Sequence, residues 1–207
     1  MFDGNWREAV ERRVDPIGEG LRKIGVTADV LTVIGIGMAV ATAFIIGNGE
    51  LRWGFVAMLA TGVPDLLDGA VAKASGSSSK RGAFFDSSID RVSDALIFGG
   101  LSWYLASNEP GRISILPVAV MATALITSYL RAKGELLGFD AKGGIMERAE
   151  RFILISVGLV FPDLLIPVLW LMLALTSVTV VQRFAKVWKQ ATDEMPDGHP
   201  SKRSTVK

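Results

Sequence analysis

The sequence predicts an all-α integral membrane protein of six transmembrane helices, preceded by an N-terminal interfacial amphipathic helix. Three observations carry this reading. Hydrophobic residues make up 50% of the 207-residue chain, and they are gathered into long apolar runs rather than spread evenly. Lys and Arg cluster at the termini and in every second connection between those runs. Four aspartates, Asp65, Asp68, Asp86 and Asp90, lie in or beside the runs, where an isolated ionised carboxylate costs about 2–3 kcal/mol even on lenient insertion scales.

Residues 1–27 read as a cytoplasmic N-terminal segment. They lack an apolar core and contain Pro16 and several charges, so no cleavable signal peptide is expected. Within them, residues 6–23 mix Trp6, Val10, Val14, Ile17 and Leu21 with basic residues, a pattern that suits a helix lying in the membrane interface. A solvated flank is the plainer alternative. The membrane domain follows over 28–189, with apolar segments at 28–48, 52–72, 83–107, 113–132, 151–163 and 164–184. Most approach the ~20 residues that cross a ~30 Å hydrocarbon core. The fifth is short, and Phe161-Pro162-Asp163 reads as a turn separating it from the sixth. Residues 190–207 are polar, with Pro196 and Pro200, and read as a disordered cytoplasmic tail.

Charge sets the orientation. Of the 22 Lys and Arg residues, 19 fall in the two termini and in the connections after the second and fourth segments. Only Arg52 and Arg112 fall on the other side, and Arg91 lies within the third segment. The positive-inside rule then makes both termini cytoplasmic in a multi-pass protein of the cell membrane. The chain has no cysteine and one histidine, His199, in the polar tail. Thiolate chemistry, Cys-bound zinc and a His base are therefore set aside, and acid–base or metal chemistry falls to Asp and Glu.

Asp65 and Asp68 are spaced i,i+3, and Asp86 and Asp90 i,i+4, so each pair shares a helix face. Both pairs lie towards the cytoplasmic side, and the short connection from Lys73 to Gly82 makes the two helices antiparallel neighbours with converging carboxylates. Four hard oxygen ligands without His or Cys point to magnesium or manganese. Gly69 and Gly82 permit close approach of a bulky group to the backbone, and the serines of 75–79 offer hydroxyls and amides suited to phosphate. The bland reading is that these are ordinary span-end charges neutralised by Lys73, Arg81 and Arg91; paired spacing in all four weighs against it.

Asp65-Leu66-Leu67-Asp68-Gly69-Ala70-Val71-Ala72-Lys73, followed after eight residues by Gly82-Ala83-Phe84-Phe85-Asp86-Ser87-Ser88-Ile89-Asp90, resembles the signature of the CDP-alcohol phosphotransferase family. Lys73 stands where the family usually has Arg, which keeps the charge but not the bidentate fork. The resemblance implies a six-helix membrane enzyme, often a homodimer, that moves a phosphatidyl group from a CDP-linked lipid to an alcohol and releases CMP. It also implies two divalent ions held by Asp65, Asp68, Asp86 and Asp90, with Asp90 acting as base. Gly69, Lys73 and Ser79 would surround the nucleotide, with Asp29 and Thr32 touching it from the first segment.

The acceptor must be read elsewhere. Arg131, Lys133, Arg151 and Arg183 lie at the same end as the carboxylates and suit a phosphate dianion, although each taken singly reads more simply as a snorkelling span-end anchor. Ser128-Tyr129-Leu130-Arg131-Ala132-Lys133, Glu147-Arg148-Ala149-Glu150-Arg151 and Val181-Gln182-Arg183 resemble stretches of the actinobacterial, inositol-phosphate-using branch of the family. That likeness extends from about residue 15 to 190. It implies that Ser128, Arg131, Lys133, Arg151 and Arg183 hold the phosphate of 1D-myo-inositol 3-phosphate, with CDP-diacylglycerol as donor and no nucleic-acid partner. Phosphatidylglycerophosphate synthase and archaetidylinositol phosphate synthase share the same chemistry and stand as rivals. An ion-coupled transporter is the non-enzyme alternative.

Overall fold

The computed structural model describes residues 16–17, 19–21, 23–74 and 80–194, with side chains for all of these except 65, 66, 68–70 and 72–74. Every regular element among them is helical: α1 (Ala28–Gly47), α2 (Leu51–Ala74), α3 (Lys80–Asn108), α4 (Ile115–Leu136), α5 (Arg148–Val160), a 3₁₀ turn (Pro162–Leu164) and α6 (Leu165–Asp193). Each apolar segment read from the sequence lies on one of these helices. Among the described residues, three stretches are long and apolar enough to cross a membrane: Ala28–Gly47, Ile115–Leu136 and Pro162–Asp193. Helices α2 and α3 are as long, at 24 and 29 residues, but the charged residues of the motif dilute their hydropathy. At 13 residues α5 extends only about 20 Å. The residues described before α1 are helical at 16–17, 19–21 and 23. Most of the expected interfacial helix, and the tail beyond 194, lie outside the described residues.

Local chemistry fixes the element ends. Thr27 caps α1 by accepting from the Val30 N–H at 3.3 Å, and Asp29 in the first turn complements the helix dipole. Glu147 and Glu150 close a reciprocal capping box at the start of α5. Phe161 and Pro162 end α5 and begin the 3₁₀ turn, which is the break the sequence predicts.

The packed pairs α1–α2, α2–α5, α5–α6, α6–α4, α4–α3 and α3–α1 close a ring of six helices. Among the described residues α2 and α3 each pack chiefly against α1, so α1 brings them together, rather than the direct pairing that the short connection suggests. The α1–α3 approach is close. A Cβ on Gly100 would lie 2.6 Å from the Ala43 carbonyl oxygen, and one on Gly47 would overlap the Trp103 ring. Gly99, its neighbour in sequence, faces open space. The apolar core, including Met58, Phe98, Leu101, Leu105, Val120, Leu159, Leu169 and Met172, occupies the end of the ring that carries the short turns. The other end is left to polar side chains and cavities.

Candidate active site

The period of α3 places Asp86, Asp90 and Asp94 one above another on a single face. The first two face a small cavity of about 40 Å³ between α1, α2 and α3, which Thr32, Gly35, Thr61 and Pro64 also line. Thr32 is buried and donates its hydroxyl to the Ala28 carbonyl at 3.0 Å. Pro64 interrupts α2 immediately before Asp65, removing the rung that would reach the Ala60 carbonyl. Asp29, at the mouth of α1, pairs with Arg81 at 3.1 Å in an exposed contact.

A larger cavity of about 340 Å³ opens beside the first, bounded by α3, α4, α5 and α6. Ser128, Arg131, Arg151 and Arg183 line it, so four of the five residues the sequence assigns to the acceptor phosphate meet there. Lys133 is exposed and does not line it; two residues beyond Arg131 is about 200° around the helix. Asp90 and Arg148 line both cavities and form their common wall.

Arg148, Arg151 and Arg183 are ordered by carboxylates on other elements. Arg151, buried, donates to Asp94 at 3.1 Å. Arg148 lies 2.6 Å from Asp90 and 3.7 Å from the other Asp94 oxygen. Arg183 is buried and spends all three nitrogens on the protein: Nε donates to the Gly143 carbonyl at 2.8 Å, Nη1 to the Thr127 carbonyl at 3.0 Å and Nη2 to Glu147 at 2.7 Å. Arg131 pairs with Glu135 at 3.1 Å on its own helix and is about half exposed. The loop that delivers α5 is fastened to α6: Met146 N–H donates to Thr179 Oγ1, and Lys186 and Gln190 bind Asp140. Gly143 and Gly144 adopt positive φ there, and a Cβ on Gly144 would overlap Thr179.

Asp94, Glu147, Arg148 and Glu150 were absent from the sequence-derived set. Asp94 continues the i,i+4 ladder of Asp86 and Asp90, and Arg148 precedes Arg151 by one turn, so helical spacing could have drawn both in. Asp65, Asp68, Gly69 and Lys73 lie on α2 with side chains outside the described residues, and Ser79 lies outside them altogether. The described side chains alone contain no cluster of three acids set to hold a metal. The donors present nonetheless suit a hard divalent cation, because Asp86 and Asp90 stand one turn apart in a cavity lined by threonine hydroxyls and no nitrogen or sulfur ligand.

Comparison with known proteins agrees with this layout. The family model for CDP-alcohol phosphatidyltransferase matches residues 25–182. The chain is 33% identical over 206 residues to the phosphatidylinositol phosphate synthase of Mycobacterium marinum, covering 94% of this chain and 88% of that one. It is 32% identical over 197 residues to that of Corynebacterium glutamicum, covering 91% and 90%. The crystal structure of the Mycobacterium tuberculosis phosphatidylinositol phosphate synthase with CDP-DAG bound superposes with a TM-score of 0.83 at 34% identity, over 89% of this chain and 99% of that one. The same enzyme in complex with manganese and citrate superposes at 0.82 and 33% identity, over 88% and 93%. The protein belongs to the CDP-alcohol phosphatidyltransferase family. It is an enzyme of phospholipid biosynthesis, similar to the actinobacterial phosphatidylinositol phosphate synthases.

Proposed function

We propose that the protein transfers the phosphatidyl group of CDP-diacylglycerol to 1D-myo-inositol 3-phosphate, giving phosphatidylinositol phosphate and CMP. The observation that carries this reading is the shared wall: Asp90 stands between a cavity lined by carboxylates and hydroxyls and a cavity lined by five arginines. The nucleotide-lipid would lie on the first side, against Asp29, Thr32, Gly69, Lys73 and Ser79. The acceptor phosphate would lie on the second, on Ser128, Arg131, Arg151 and Arg183, with Lys133 at the rim. Two magnesium or manganese ions held by Asp65, Asp68, Asp86 and Asp90 would neutralise the diphosphate and stabilise the departing CMP. Asp90 takes the proton of the acceptor hydroxyl as its oxygen bonds to the lipid-side phosphorus and the bond from that phosphorus to CMP breaks.

The same reading sets the domain 28–189 in the cell membrane as six helices with both termini and the active site cytoplasmic, preceded by an interfacial helix within 1–27 and followed by a disordered tail over 190–207. A homodimer is the assembly proposed. Membership of an enzyme family removes the transporter reading. The test is CMP release by the purified protein with magnesium, CDP-diacylglycerol and either inositol phosphate or glycerol 3-phosphate. Release with inositol phosphate is expected; release with glycerol 3-phosphate alone overturns the acceptor assignment.

A further inference from the structure

The five arginines of the larger cavity, Arg91, Arg131, Arg148, Arg151 and Arg183, are not equivalent. Side chains of Arg151 and Arg183 are 7% and 5% exposed and are locked to Asp94 and Glu147. They form a fixed floor. Arg148 is 41% exposed, stands on the wall between the two cavities, and holds carboxylates of α3 on both sides, Asp90 at 2.6 Å and Asp94 at 3.7 Å. The capping box already occupies the Glu147 and Glu150 amides at the start of α5, and guanidinium groups line the cavity that an anion would enter. A phosphate dianion on the floor would therefore lie beside a half-exposed cation whose present partners include Asp90 and Asp94. Two ionised oxygens of phosphate offer Arg148 a bidentate partner of higher charge than a carboxylate.

We propose that Arg148 couples the two cavities: acceptor phosphate draws its guanidinium away from the Asp90 oxygen it holds, and that oxygen then becomes available to the acceptor hydroxyl and to a divalent cation, while Arg91 stays 3.6 Å from the other oxygen. Arg148 is thus a positioning residue for Asp90 and a ligand of the acceptor. This rests on the acceptor reading above, since it requires a phosphorylated alcohol in the larger cavity. The consequence is an order of events. In the absence of acceptor, Arg148 competes with a cation for Asp90, which guards the CDP-lipid against attack by water. Because coupling between two sites is reciprocal in binding free energy, cation and acceptor must each tighten the other.

The test is Mn²⁺ titration of the full chain in lipid nanodiscs, read by electron paramagnetic resonance without CDP-lipid, for the wild type and Arg148→Gln. In the wild type, myo-inositol 3-phosphate is expected to tighten Mn²⁺ binding several-fold. In Arg148→Gln, Mn²⁺ is expected to bind more tightly without acceptor, and the response to acceptor to shrink. In turnover, that variant should raise the acceptor KM by about tenfold and change the CDP-lipid KM by no more than about twofold. Unchanged Mn²⁺ affinity in Arg148→Gln, or an acceptor response of wild-type size, overturns the proposal. Arg148→Lys serves if the Gln variant does not fold. One ammonium cannot hold both Asp90 and Asp94, so Mn²⁺ should tighten in the same direction, and no change again overturns the coupling. If glycerol 3-phosphate elicits the wild-type response instead and Arg148→Gln loses it, the acceptor assignment fails and the coupling stands. If no phosphorylated alcohol alters Mn²⁺ binding in the wild type, the coupling fails whatever the acceptor.

Discussion

Arg183 Nη2 donates to Glu147 Oε1 at 2.7 Å, joining α6 to the residue that caps α5. The same guanidinium reaches back to α4 through the Thr127 carbonyl and into the α4–α5 loop through Gly143. One buried side chain thus fixes the relative placement of three walls of the larger cavity, so its role is to build the floor as well as to present charge to a phosphate.

Arg183→Ala is expected to impair folding and acceptor binding together. It leaves two carbonyls and Glu147 without their donor, and hydrogen bonds to charged groups are worth about 1.5–3 kcal/mol each. Glu147 is 41% exposed and water recovers part of its loss, so a fall of several degrees in the thermal midpoint in detergent is anticipated. The acceptor KM should rise more than the CDP-lipid KM; the reverse order would remove Arg183 from the phosphate floor.

Asp90→Asn should abolish turnover while the protein still elutes as a folded species. General-base catalysis contributes about 10²–10⁴-fold, and the amide cannot accept the proton. Near-normal CMP release by this variant would remove Asp90 from the role of base.

Gly144→Ala tests whether the loop geometry sets the arginines. Gly144 has φ +137° and no room for a Cβ against Thr179, and Thr179 is also the acceptor for the Met146 N–H. Forcing a side chain into backbone reserved for glycine costs about 1 kcal/mol or more. The expected result is faster hydrogen exchange at residues 143–147 and a raised acceptor KM, with CDP-lipid binding unchanged. Gly99→Ala, facing open space, is the matched control and should alter neither.

Asp140 gives the loop a pH dependence. The hydrogen bond from Lys186, followed by that from the Lys142 N–H, holds its carboxyl below the usual carboxylate range. A depressed folded-state value means that the contribution is present above the unfolded value and is lost as pH falls through the lower, folded one. Exchange protection at 140–143 should therefore persist to about pH 4 and collapse below it, and Asp140→Asn should remove that acid-side transition. A transition of the same size in Asp140→Asn would assign it elsewhere.

Chelation provides the last check. Removing divalent ions with EDTA should stop CMP release, and adding magnesium or manganese should restore it, because the cation ligands on the nucleotide side of Asp90 are carboxylate and hydroxyl oxygens. Activity that survives exhaustive chelation would remove the metal from the mechanism.

Much of the chain was legible before any coordinates. Helix positions follow from runs of apolar residues, and the break before the last helix from Pro162 and its neighbours, because both are local properties of a few consecutive residues. Helix α5 starts three residues before its apolar segment because the capping box at Glu147 and Glu150 begins the helix on charged residues that an apolar run does not include. The Asp86–Asp90 pair was legible for the same local reason, a helical period that puts i and i+4 on one face. The resemblance places Lys133 with Arg131 in the acceptor set, and the same period turns it away from the cavity.

The sequence by itself determined the helices, the aspartate spacing and the family, since each rests on residues within a turn or two of one another or on a fixed linear pattern. Only the tertiary structure decided which charges meet. Asp94 and Arg151 are separated by 57 positions and Glu147 and Arg183 by 36, and no periodicity along one helix relates them. Their meeting depends on the order in which six helices close the ring, with Gly100 and Gly47 letting α1 and α3 draw together. That closure places Asp90 and Arg148 on one wall between two cavities, because a packed interior admits a single arrangement of side chains across helices that the linear sequence keeps apart.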